Sequence, residues 1–251
     1  NRHAPILFPF VGKVIGGVYR IGEKEYTMKT QHGFARDKEF ECVAATQYFV
    51  THRLVSTEET KEIYPYDFEL LVTHSLDAEN PRVLRIDWEV KNTGNEKMFY
   101  SIGGHPGFMI PEGEKKEDYY IEFPGRDDLK YVSVNLDTGF IAADKEYKLE
   151  TENGFIKYED TIPDTWIFDF QNIETVRIAR PDKTPAITMN CGQFPLLAVW
   201  ANPEGTFICL EPWFGRSDND GFTGTIDEKV AEQQLEAGET KKISHTVEFH
   251  K

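Results

Sequence analysis

Three short stretches bring proton-exchanging side chains next to turn-forming residues. In Gln31-His32-Gly33-Phe34-Ala35-Arg36 a histidine and an arginine flank small residues just after an expected strand. In Gly103-Gly104-His105-Pro106-Gly107-Phe108 glycines and a proline leave a strand-end histidine little crowded. Phe207-Ile208-Cys209-Leu210-Glu211-Pro212-Trp213-Phe214-Gly215 reads as an apolar strand ending in a carboxylate and then aromatics. Two imidazoles and a carboxylate are the material of acid–base catalysis near neutral pH. Each also has a plainer reading. A strand-end histidine is more often a hydrogen-bonded structural residue than a catalyst, and Arg36 alone reads as a solvated surface charge. Glu211 is odder, because four apolar residues lead into it and an ion so close to a core needs a partner or a function. Trp213 and Phe214 fit a core, and an aromatic beside a carboxylate also fits the apolar face of a sugar ring.

The elements that must position these residues read as strands. Short runs of alternating or continuous apolar character recur between Gly, Pro, Asn and Asp, as an all-β fold requires. Gly17 to Gly22 followed by Lys24-Glu25-Tyr26 reads as a hairpin, and Phe40 to Val43, Tyr48 to Leu54 and Phe68 to Leu76 as successive strands. Val83 to Val90 alternates cleanly and stops at Asn92-Thr93-Gly94-Asn95; Lys97 to Ile102 answers it, the strongest hairpin signal in the chain. Thr175 to Ala179, Ala186 to Asn190, Leu196 to Trp200, Thr206 to Glu211 and Lys242 to Phe249 continue the series. Helix is expected only in short pieces, at Glu58 to Ile63 and Asp227 to Gln233. With no internal repeat or linker, residues 1–251 read as one domain.

Composition narrows the partners. The 251 residues carry 18 Phe, 11 Tyr and 4 Trp, which favours sheet, and a formal net charge of -15, which disfavours nucleic acid. A small neutral or singly phosphorylated ligand fits better. The three cysteines, Cys42, Cys191 and Cys209, form neither a CxxC pair nor a zinc pattern, and read as buried free thiols. No apolar run is long enough for a membrane helix and no leader pattern opens the chain, so a cytoplasmic monomer or homodimer is the expectation.

Four motifs in order give a sharper reading: Arg2 to Gly12 (Arg-His-Ala-Pro-Ile-Leu-Phe-Pro-Phe-Val-Gly), His32-Gly33-Phe34-Ala35-Arg36, Gly104-His105-Pro106-Gly107-Phe108 and Leu210-Glu211-Pro212-Trp213. Together they resemble the aldose 1-epimerase (galactose mutarotase) family, in its LacX-like bacterial branch. The resemblance implies a large antiparallel β-sandwich of the galactose mutarotase-like (supersandwich) type. It also implies interconversion of the α and β anomers of an aldohexose, or its 6-phosphate, by ring opening and reclosure, with neither metal nor cofactor. By the same resemblance Glu211 matches the general base and His105 the general acid. Arg2 and His32 match sugar-binding positions, as does Asp164, with Asp169 the second candidate. Arg36 matches a position where related hexose-6-phosphate mutarotases bind phosphate, and Arg216 is a further candidate for such a cluster. The family usually has strands ahead of the Arg2 segment; without them one sheet would have an exposed edge. The competing reading is a non-catalytic carbohydrate-binding or sugar-sensing protein on the same fold.

Overall fold

A computed structural model describes residues 4–158 and 165–251. These residues form mostly antiparallel strands, gathered in two large sheets. The smaller sheet runs Ile6–Leu7, Ile102–Gly104, Phe207–Phe214, Leu196–Trp200, Thr165–Asp169, and Gly107–Met109 also pairs with Phe207–Phe214. The larger sheet has nine strands. It runs from Phe155–Lys157 through Tyr120–Glu122, Thr175–Ala179, Pro185–Asn190, Thr240–Phe249, Val83–Asn92, Phe68–Leu76 and Phe49–Val55 to Glu41–Ala45, whose five residues are all exposed.

Alternation decides what lies inside. Phe68, Leu70 and Val72 from one strand of the large sheet, and Ile86, Trp88 and Val90 from its neighbour, are buried two residues apart. They share a core with Ile208, Leu210 and Phe214 of the small sheet. The side chains between those three point to the opposite face. There Trp213 joins Leu7, Val11, Val132, Ile141, Ile167, Leu196 and Ala198 in a second, smaller apolar cluster.

Several expectations need correction. Val83–Asn92 does not pair with the segment that follows it, because Phe68–Leu76 and Thr240–Phe249 occupy its two edges. Met98–Tyr100 pairs instead with Gln233–Leu235, and Ile102–Gly104 enters the small sheet. Buried Asn92 fixes this crossing, its side-chain amide donating to the carbonyls of Glu96, Leu235 and Glu236. The helix Glu58–Ile63 forms, capped by Thr57, whereas the expected helix at Asp227 to Gln233 shrinks to a 3-10 turn at Ile226–Glu228. Cys191 and Cys209 are buried, but Cys42 is exposed on the edge strand.

Candidate active site

Glu211 does not end its strand. It sits inside Phe207–Phe214, where Pro212, Trp213 and Phe214 continue the ladder against Leu197, Leu196 and Ile102. On this strand Cys209, Glu211 and Trp213 share the face opposite Ile208, Leu210 and Phe214. Ala198 lies directly across from Glu211, so a methyl group rather than a bulky chain flanks the carboxylate.

The histidine reaches the carboxylate through a break in the ladder. Ile102–Gly104 pairs with Trp213 and Phe214, and Gly107–Met109 pairs with Phe207 to Cys209. His105-Pro106 therefore falls in the gap beside Leu210 to Pro212, where proline can donate no ladder hydrogen bond. Gly103 is needed at the edge of that gap, since a Cβ there would lie 2.5 Å from Trp213 Cδ1 and 2.8 Å from the Pro212 carbonyl oxygen.

His105 Nε2 lies 3.4 Å from Glu211 Oε2. The approach is too poorly aligned for a hydrogen bond, and Oε2 is buried without a hydrogen-bond partner among the described residues. Burial pushes the Glu211 carboxyl well above the usual carboxylate range, with the nearby Trp213 indole N–H opposing the shift. That indole N–H makes no hydrogen bond of normal geometry among the described residues. Burial likewise lowers His105 to about 4; its own backbone hydrogen bond opposes this, and the positive charge of Arg36 adds to it. Both shifts favour the neutral forms, carboxyl and imidazole, in which the pair has one proton to exchange.

His32 is held by backbone geometry. It occupies the left-handed region at φ 65, an unusual conformation for a histidine. Two hydrogen bonds to Gly12 fix it, His32 N–H to the Gly12 carbonyl at 2.7 Å and Gly12 N–H to His32 Nδ1 at 3.0 Å. Because Nδ1 accepts, the neutral ring carries its proton on Nε2, and the Gln31 amide nitrogen lies 3.0 Å from that atom. Gly33 continues the turn at φ 67, packed so closely that a Cβ would lie 2.3 Å from the Phe8 carbonyl oxygen. Behind it Phe34 meets Phe8 edge-on at 6.4 Å, and Phe8 packs on Phe68 at 4.9 Å. Such aromatic pairs each contribute about 0.5–1.5 kcal/mol beyond burial and anchor the segment that carries His32 and Arg36.

These side chains converge on one cleft of about 480 Å³, lined by His32, Arg36, His105, Glu211 and Trp213 together with Trp200. The His32 and His105 rings meet edge-on at 5.5 Å, and Trp200 stands edge-on to His105 at 5.6 Å. Lys13, Gln31 and Thr165 also line the cleft, and so do Leu136 and Gly139 from a loop above it. Nothing in the local sequence marks Lys13, Thr165 or Trp200 as lining; for Thr165 and Trp200 register across the sheet does, since Trp200 pairs with Thr165 on one side and Cys209 on the other. Arg2 and Asp164 lie outside the described residues. Asp169 and Arg216 are otherwise engaged. Buried Arg216 grips both oxygens of Asp169 at 3.1 and 2.9 Å and also donates to Asn219 Oδ1 at 2.6 Å, a structural fork rather than a solvated or phosphate-binding group.

Residues 1–191 match the model of the family described as aldose 1-epimerase. The chain belongs to the aldose 1-epimerase family. Glu211 lies beyond the matched segment. The plasmid-encoded protein LacX of Lactococcus lactis is 29% identical over 257 residues, covering 98% of this chain and 85% of its own length. Among solved structures, a galactose mutarotase-like protein from Lactobacillus casei superposes with a TM-score of 0.89 at 29% identity, covering 100% of this chain and 86% of that one. A galactose mutarotase related enzyme from Lactobacillus acidophilus gives 0.88 at 28% identity, covering 99% and 83%. This member of the aldose 1-epimerase family thus shares the antiparallel sandwich of its mutarotase-like relatives. No helix among the described residues is long and apolar enough to cross a membrane.

Proposed function

We propose that the protein interconverts the α and β anomers of an aldohexose, with Glu211 as general base and His105 as general acid. The observation that carries this reading is the approach of His105 Nε2 to the buried Oε2 of Glu211, which has no hydrogen-bond partner among the described residues, within a polar cleft. A sugar hydroxyl donating to Oε2 stabilises its carboxylate form. The pair's one proton then resides on His105. Glu211 takes the proton from the anomeric hydroxyl as His105 delivers its own to the ring oxygen, and the C1–O5 bond breaks to leave an open-chain aldehyde. After rotation about C1–C2, His105 recovers the proton from the O5 hydroxyl while Glu211 returns one to the carbonyl oxygen, and the ring closes on the other face. No net proton is gained or lost.

His32 borders the space the sugar would fill, and Trp213 and Trp200 provide aromatic surface for the apolar face of the ring. Arg2 and Asp164, carried over from the family resemblance, complete the proposed set of sugar contacts. A 6-phosphate ester is the second substrate reading, favoured by Arg36 and exposed Lys13 on the same cleft. A purely sugar-sensing protein would have no need of a carboxyl–imidazole pair sharing one proton.

The test is the rate at which fresh α-glucose, α-galactose and glucose 6-phosphate reach anomeric equilibrium, followed by polarimetry or exchange NMR. Glu211→Gln and His105→Asn should each lower the protein-dependent rate by about 10² to 10⁴, with saturable sugar binding retained. Full activity in either variant removes its assigned role. Saturable binding by the unmodified protein without acceleration replaces the enzyme with the sensor.

A further inference from the structure

The same face of the Phe207–Phe214 strand carries a thiol that the proposed reaction does not use. Cys209 precedes Glu211 by two residues, so both side chains project to one side of the sheet, and His105 enters from the ladder gap alongside. One donor atom from each of His105, Cys209 and Glu211 comes together so that no two are more than 4.8 Å apart. Among the described residues this is the one such group of three metal-competent side chains. A tetrahedral zinc ion, with bonds of about 2.0–2.3 Å, sets its nitrogen, sulfur and oxygen ligands roughly 3.4–3.6 Å apart. The His105 Nε2 to Glu211 Oε2 separation of 3.4 Å already fits, and the remainder of the triangle closes by an ångström or so. A second observation also points to a ligand: Oε2 of Glu211 is buried and has no hydrogen-bond partner among the described residues.

We propose that His105, Cys209 and Glu211 bind a zinc-class divalent cation, and that this ion switches the centre off by engaging the acid and the base together. Imidazole, thiolate and carboxylate suit zinc or cobalt; magnesium and calcium take six or more oxygen ligands and are poorly served here. Coordination replaces the thiol proton and the proton shared by the pair, and both leave to solvent. Three protein ligands leave the fourth position toward the cleft, where it meets the space a sugar would fill, so metal and sugar compete. The inhibitory half of this proposal rests on the mutarotase reading; the binding half does not.

Cobalt alone serves as the probe. The full chain carrying Cys42→Ser and Cys191→Ser retains Cys209 as its one thiol. Titrated with Co²⁺, it should develop a thiolate-to-cobalt charge-transfer band saturating at one ion per chain, and Zn²⁺ should bleach that band. Cys209→Ser and Cys209→Ala should each abolish it, and Glu211→Gln or His105→Asn should weaken binding at least tenfold. No band in the folded double variant, or a band that survives Cys209→Ser, overturns the site. If the double variant does not fold, the exposed single change Cys42→Ser gives the same decision, because its band must still vanish on adding Cys209→Ala. Anomer exchange in parallel keeps the two readings apart. Cobalt binding by a protein whose metal-free form does not accelerate mutarotation preserves the site and removes the proposed reaction; acceleration by the metal-free form without a band on adding cobalt does the reverse. Zinc inhibition, taken relative to each variant's own metal-free rate, should fall at least tenfold in Cys209→Ser, and undiminished inhibition there overturns the switch.

Discussion

At the scale of single residues, the pair at the centre of the cleft is defined by what surrounds it. Glu211 was conspicuous in the sequence because an apolar run leads into it, and the structure gives the reason for its oddness: Ala198 and the small apolar cluster shield it from water. His105 was legible as a residue between turn-formers, but its partner was not, since nothing in the 105 residues of intervening chain says that the two side chains meet. The shared proton sets a pH profile. Below about 4, His105 takes a second proton and no base remains, so kcat/KM should fall as pH drops through that value. On the alkaline side the raised Glu211 carboxyl loses the last proton, no acid remains, and activity should fall again. Between the limbs the rate should be flat. Initial rates corrected for spontaneous mutarotation measure this, and a maximum confined to a single pH unit would show that a different pair titrates.

At the scale of elements, close backbone approach controls the geometry. Gly103→Ala sets a methyl group against the Trp213 ring and the Pro212 carbonyl, and the backbone contact has no rotamer to escape by. The variant should lose about 1–3 kcal/mol in urea denaturation, with a raised KM because Trp213 moves. Asp169→Asn tests the fork on Arg216. Removing the charge of this half-buried carboxylate from beside buried Arg216 should cost about 1–3 kcal/mol of stability while leaving the apparent affinity for the free sugar within a few-fold. A large change in affinity without loss of stability would return Asp169 to the sugar site. Strand positions were largely readable, because alternation over Phe68–Leu76 and Thr175–Ala179 records which face is buried, and the continuous apolar run Leu196–Trp200 records a strand buried on both faces. Pairing was less so. The turn-like Asn92-Thr93-Gly94-Asn95 suggested a hairpin, whereas Asn92 spends its side chain bridging distant carbonyls, a choice set by tertiary contacts. The run of four apolar residues into Glu211 looked terminal because carboxylates seldom lie mid-strand in a core; here the cleft face makes room for one.

At the scale of the whole molecule, a second buried carboxyl ties stability to pH. Burial raises Glu232 from 4.5 to about 8; Lys229 and the hydrogen bond from Ser101 at 2.5 Å oppose the shift, and Asp218 adds to it. The folded chain therefore keeps this proton where the unfolded chain has released it. The stability this confers is complete below about 4.5, declines as pH rises above that value and is lost as pH passes through about 8. Glu232→Gln should flatten this part of the profile, read as urea midpoints between pH 5 and pH 9; an unaltered slope would assign the dependence to other groups. The strand that carries Glu211 has a further consequence. It is fixed by pairing with Leu196–Trp200 along one edge and with Ile102–Gly104 and Gly107–Met109 on either side of the gap along the other, whereas Lys13, Gln31, Leu136 and Gly139 reach the cleft from outside any strand. Insertions or exchanges among these rim positions leave every ladder intact, so descendants of this chain can change which sugar they accept while inheriting the reactive centre and its thermal tolerance unaltered.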